Sequence, residues 1–138
     1  MAGYSKTPLA RKLGIKPGSR VVLLGAPAGF ERTLGDLPKG AKVTRRAPLR
    51  AVADVILLFT NSSEMLEDRF PRTRRRLAEA GGFWVCWPKK ASGVPTDLTE
   101  DLVRGIGLEV GLVDNKVCAV DEVWSGLRFV VRVRDRKA

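Results

Sequence analysis

Histidine is absent from the 138-residue sequence. That excludes serine–histidine–aspartate and cysteine–histidine nucleophilic catalysis, histidine-ligated metals and imidazole acid–base chemistry. Cysteine is nearly absent. Cys86 in FWVCW and Cys118 in KVCAV are too few for a disulfide framework or a zinc site. Both lie in apolar stretches and are expected to be free thiols, packed as small apolar groups. No apolar run approaches the ~20 residues that a membrane-spanning helix needs. The opening MAGYSKTPLARKLGIKPGSR has no apolar core of the secretory type, so a cytoplasmic protein is expected. The phosphate-loop pattern G-x-x-x-x-G-K-[ST] is missing as well, which disfavours nucleoside-triphosphate hydrolysis. No metal site, cofactor or catalytic residue is assigned.

What is present is globular in character: 44% hydrophobic and 29% charged residues, with a formal net charge of +10. The length fits one domain over 1–138. The charge is uneven. Residues 1–50 hold 11 basic and 2 acidic side chains, whereas 91–126 hold 2 basic and 7 acidic. A basic half suits a polyanionic partner, and it equally suits a solvated surface.

Along the chain, TPLARKLG (7–14) reads as a short helix with Thr7 as cap, Pro8 at its first position and Gly14 as stop. RVVLLG (20–25) is a continuously apolar strand of the kind buried on both faces of a parallel sheet. A short helix over 29–35 and a weak strand over 41–46 follow. ADVILLFT (53–60) is a second buried strand, ending in NSSE, where Asn61 and Glu64 form a capping box. Pro71 predicts two helical segments, one ending near Phe70 and one running from Pro71 to Gly81 and Gly82. GFWVCWP (82–88) is a third buried strand, whose odd spacing puts Trp84 and Trp87 on opposite faces. A helix over 97–105 is expected, capped by Thr96 or Asp97, with Glu100 and Asp101 in its first turn. LEVGLVD, KVCAV and LRFVVRV predict three last strands, linked at Asp114-Asn115 and Ser125-Gly126. Strands alternating with helices predict a Rossmann-like three-layer α/β domain. Its sheet is mostly parallel, with antiparallel strands added at the C-terminal end.

Ligands of open parallel sheets bind outside the carboxyl ends of the strands. The sequence delivers GAPAG (25–29), TRR (44–46), TNSS (60–63) and WPKKASG (87–93) to that edge. Gly25, Ala26 and Gly29 let backbone come close to a ligand. Arg45 and Arg46 stand where a basic residue accepts a 2′-phosphate. Asn61 can read a polar group or serve only as a helix cap. Trp87 offers a stacking face, Lys89 and Lys90 offer charge, and Ser92 completes the set. The run Arg74-Arg75-Arg76 wraps round a helix and reads as a solvated face.

Two resemblances add to this reading. VVLLGAPAG, ADVILLF and LAEAGGFWVCWPK resemble, in that order, the first strand, the fourth strand and the following helix–strand unit of an S-adenosylmethionine-dependent methyltransferase. In that family the second strand usually ends in an acid that binds the ribose; here the match is VTRR, Pro27 stands in the glycine turn, and one strand–helix unit is missing between 46 and 53. GYSKTPLARKLGIKPGSRVVLLGAP, SGVPTDLTEDLVR and GLVDNKVCAVDEVWSGLRFVVR resemble the bacterial domain-of-unknown-function family 3052. That resemblance implies a small bacterial protein and carries over no activity.

Three function classes follow. The first is a domain binding a small anionic or nucleotide-type ligand at the strand ends. The second is a basic module for a protein partner or for nucleic acid, which it would bind weakly and without sequence preference, since only Tyr4 and Phe30 accompany the N-terminal charge. The third is a degenerate methyltransferase, whose general base would be Asp54, Glu64 or Asp121.

Overall fold

The computed structural model describes residues 7–46 and 50–137. Its element order is α1 (Leu9–Lys12), β1 (Arg20–Leu24), α2 (Phe30–Leu34), β2 (Lys42–Thr44), β3 (Ala53–Phe59), α3 (Ser63–Arg74), β4 (Leu77–Pro88), α4 (Glu100–Glu109), β5 (Leu112–Ala119) and β6 (Trp124–Val131). Six strands form one sheet in the order β2-β1-β3-β4-β6-β5. The first four run parallel, and β6 and β5 join antiparallel. The three most apolar stretches are therefore the parallel central neighbours that their lack of polar alternation predicts.

Alternate residues of these strands feed two cores. One face carries Val22, Ile56, Leu58, Phe83, Val85, Trp87, Leu127 and Phe129 against Leu66 and Phe70 of α3 and Val103 and Ile106 of α4. The other carries Val21, Leu23, Val55, Leu57, Trp84 and Cys86 against Leu13 next to α1 and Phe30 and Leu34 of α2. Trp84 and Trp87 do fall on opposite faces, and the Trp84 indole N–H donates to the Leu13 carbonyl at 3.0 Å.

Several local expectations are corrected. Pro8, rather than Thr7, occupies the cap position of α1. Helix α3 is continuous through Pro71. Pro71 lies on its exposed side, so the missing hydrogen bond faces water while Leu66, Phe70 and Thr73 dock inward. The cap of α3 is Ser62, whose hydroxyl accepts from the Met65 N–H at 3.3 Å; Asn61 instead offers its carbonyl to the Thr96 hydroxyl at 2.7 Å.

LAEAGG (77–82), helical by local propensity, is strand. Leu77 pairs with Ala53, Gly82 pairs with Val55, and the residues between bulge out opposite Asp54. A Cβ on Gly81 would lie 2.7 Å from the Asp54 carbonyl oxygen, so only glycine allows this approach. Tertiary pairing has overridden propensity. Thr99 caps α4, accepting from the Leu102 N–H at 3.2 Å, and LEV belongs to the end of that helix and its cap. The last three predicted strands are thus two. Asp114-Asn115 is a register shift inside β5. The turn is at Asp121, whose Oδ1 accepts from the Val123 and Trp124 N–H groups at 2.8 Å each.

Candidate functional site at the carboxyl edge

From β1 the chain moves outward to β2, and from β3 it moves the other way to β4. The carboxyl ends of β1 and β3 therefore flank the point where the winding reverses, the place at which open α/β sheets bind ligands. Gly25 leaves β1 there with φ +69°, and a Cβ on it would sit 2.8 Å from the Phe59 carbonyl oxygen of β3. Gly29 caps α2 in the left-handed conformation, with open space where a Cβ would stand. Ala26 is half-buried against the α2 core. Ala28 is exposed, and its N–H has no acceptor among the described residues.

Arg45, at the end of β2, reaches back over this turn. Its Nη1 donates to the Ala26 carbonyl at 2.9 Å and its Nη2 to the Pro27 carbonyl at 3.0 Å. The same guanidinium grips Glu31 of α2 at two points, Nε to Oε2 at 2.9 Å and Nη2 to Oε1 at 2.8 Å. Hydrogen bonding from Arg45 pulls the Glu31 carboxyl from its ordinary 4.5 to about 2, and the partnership raises the Arg45 pKa in return. The fork expected to meet a phosphate thus holds the glycine turn in shape. Arg46 is exposed, and its N–H bonds the Thr44 hydroxyl at 3.1 Å.

The remaining expected residues gather at a second place. Trp87, Lys89 and Lys90 line a pocket of about 410 Å³ with Thr96, Asp97 and Ser125. Trp87 is only 6% exposed, so its ring is mostly core. Lys89 Nζ donates to the Asp121 carbonyl at 2.6 Å, which ties β4 to the β5–β6 turn. Lys90 is exposed, and the Ser92 hydroxyl donates to the Lys89 carbonyl at 2.6 Å. Asp97 accepts from the Ser63 hydroxyl and N–H at 2.6 and 2.8 Å; these bonds lower its pKa and place a carboxylate at the start of α3, where the helix dipole favours it. The residues expected at one edge therefore fall in two places: Gly25, Ala26, Gly29 and Arg45 around the first turn, and Trp87, Lys89 and Lys90 around the end of β4.

A further set escaped the sequence reading. A groove of about 470 Å³ runs from Gly25, Leu24 and Leu58 along α3 and is lined by Arg69, Arg72, Thr73, Arg75 and Arg76. Arg69, Arg72 and Thr73 stand on one face of α3 by their i, i+3 and i+4 spacing, and Arg75 and Arg76 follow just past its last turn. Among the described residues no three carboxylate or thiol groups are placed to hold a metal ion, and no described helix is long and apolar enough to cross a membrane.

These features define a Rossmann-like α/β domain. Among solved structures the chain is similar to a SAM-dependent methyltransferase from Aquifex aeolicus, with 16% identity and a TM-score of 0.61 over 88% of this chain and 86% of that one. It is also similar to the fibrillarin pre-rRNA processing protein of Methanococcus jannaschii, with 14% identity and a TM-score of 0.62 over 95% and 76%. Aeropyrum pernix fibrillarin, solved with natively bound S-adenosyl-L-methionine, gives 14% identity and a TM-score of 0.56 over 93% and 70%. At these identities the likeness is one of fold, and the fold is that of the methyltransferases. No protein-family model matches the chain, that of the domain-of-unknown-function family 3052 included, and no curated protein sequence matches it.

Proposed function

We propose that this chain is a Rossmann-like domain that binds a small nucleotide-type ligand where β1 and β3 part, beside the 25–29 turn. The observation that carries this reading is the Arg45 clamp. It holds the Ala26 and Pro27 carbonyls while the exposed Ala28 N–H has no acceptor among the described residues, so the turn is organised before any ligand arrives. S-adenosylmethionine is the first ligand to test, because the fold neighbours include a structure carrying it. Arg45 stands where a methyltransferase usually has a ribose-binding acid, and Glu31 already meets its charge, so ligand contacts fall to the backbone of the turn.

The second reading, a methyltransferase, has less support among the carboxylates named as bases. Asp54 lies at the amino edge and accepts from the Arg20 N–H at 2.8 Å. Asp121 is taken up by its turn. Glu64, in the first turn of α3, stands at the carboxyl edge.

The test is a thermal-shift and calorimetric titration with S-adenosylmethionine, S-adenosylhomocysteine, AMP and NADP. A ligand at ~100 times its dissociation constant adds about 2.7 kcal/mol of stability. Ala28→Glu places a carboxylate in the turn at an exposed position and should abolish that gain while the unliganded melting temperature holds. No shift with any of the four, or a shift that survives in Ala28→Glu, overturns the proposal.

A further inference from the structure

The arginine groove described above continues past the end of α3. A second groove, of about 560 Å³, is lined by Arg20, Arg50, Ala51, Val52, Arg75 and Arg76. The two share Arg75 and Arg76, so they form one basic track from Gly25 at the carboxyl edge to Arg20 at the amino edge. Five residue steps of β1 separate those ends, about 16 Å at the rise of a strand. Among the described residues no carboxylate lines either groove. Asp54 accepts from the Arg20 N–H at 2.8 Å, and Asp68 pairs with Arg72 at 2.7 Å on the outer surface. Arg69 and Arg75 have no acidic partner among the described residues. The track begins beside the half-buried Leu24 at the end of β1, over the buried Leu58.

We propose that this track binds the phosphodiester backbone of a single-stranded nucleic acid. Arg69 and Arg75 carry charge without an acidic partner among the described residues, beside four further arginines of the track, and a chain of phosphates supplies counter-charge at repeating intervals. Guanidinium groups bond phosphate oxygens in pairs and also stack on base planes. The track reads no base edges, so binding is weak, indifferent to sequence and steeply dependent on salt. The proposal does not rest on the small-ligand reading; the two share Gly25, and the track is carried by the arginines beyond it.

The experiment is fluorescence anisotropy with labelled 12-nucleotide RNA and DNA single strands of one sequence, titrated at salt from about 50 to about 200 mM without any small ligand. The protein should bind both strands. Arg69→Gln with Arg75→Gln should weaken binding at least about tenfold at the lowest salt. The same pair should reduce the log–log salt slope by about 1.4, because each single-strand phosphate contact contributes ~0.7. Arg11→Gln with Lys39→Gln removes the same charge at exposed positions away from α3 and should change affinity less than about twofold. Arg69→Lys with Arg75→Lys keeps the charge and should retain most of the binding. The proposal is overturned if neither strand binds, if both neutral pairs weaken binding equally, or if the arginine pair is silent. It is also overturned if polyglutamate displaces the strands at matched charge concentration, which would assign the track to an acidic polypeptide.

Discussion

Arg45 and Glu31 meet through two parallel hydrogen bonds of 2.9 and 2.8 Å across the mouth of the glycine turn. The pair is exposed, with half of the Glu31 side chain open to solvent, so its global contribution is small. Its local effect is large, because the guanidinium also holds two carbonyls of the turn. Arg45→Gln should therefore accelerate amide exchange over 26–31 while leaving the β3 and β4 amides protected. Uniform acceleration through both strands would show that the pair supports the whole fold instead.

The same pair fixes a pH dependence. Because the Glu31 carboxyl is held near 2 against an ordinary 4.5, the folded state favours its ionised form. The stabilisation is complete above the unfolded value and is lost as pH falls from about 4.5 towards about 2. Melting temperatures across that window should drop further for the native chain than for Glu31→Gln. The difference should shrink in 1 M salt, where the Debye length is ~3 Å. Parallel profiles would remove the ion pair from the account.

Gly25 and Gly29 should respond differently to alanine. At Gly25 a Cβ meets the Phe59 carbonyl at 2.8 Å in a left-handed backbone, whereas at Gly29 it enters open space. Gly29→Ala should cost about 1–2 kcal/mol, the left-handed penalty alone. Gly25→Ala adds a displacement of β3 backbone and should cost about 1 kcal/mol more, by urea denaturation. Equal losses would mean that the Gly25 approach is not tight.

On α4, Gly107 faces the Phe129 ring of β6, and a Cβ there would run into that ring. Helix and sheet would have to separate, so Gly107→Ala should destabilise by about 1–3 kcal/mol despite alanine's better helix propensity. Gly105 on the same helix has open space, and Gly105→Ala should stabilise by about 0.5–1 kcal/mol. A stabilised Gly107→Ala would mean the helix sits further from Phe129.

Cys86 and Cys118 pair from opposite sides with Gly126 of the strand between them. Two strand spacings, about 9.6 Å, exceed the ~7 Å that a disulfide spans. Both thiols are free, as their apolar contexts predict. Cys118 is only half-buried, a correction to the expectation that both are fully packed. Burial pushes the Cys86 thiol well up, and Cys118 up to a lesser degree. A thiol reagent should find one slowly reacting group in the folded protein and a second only after denaturation. Cys118→Ser should remove the first.

By itself the sequence determined the layers and the order of the central strands. RVVLL, ADVILLF and FWVCW are apolar without alternation, and such segments are stable only between two layers of helix, in parallel neighbours. It also located the carboxyl-edge turn, because Gly25 and Gly29 are local signals. Contacts between distant residues decided the rest. Arg45 reads as a ligand's partner until Glu31, fourteen residues earlier, is seen to hold it. LAEAGG reads as helix until Ala53 and Asp54 of β3 draw it into the sheet. Pro71 reads as a break until the exposed side of α3 leaves its missing bond to water. Arg74-Arg75-Arg76 reads as a solvated face until the packing of α3 lays Arg75 and Arg76, with Arg69 and Arg72, along one groove. Periodicity reports which face of a segment is buried, whereas the identity of its neighbour is set by long-range closure, which no local window contains.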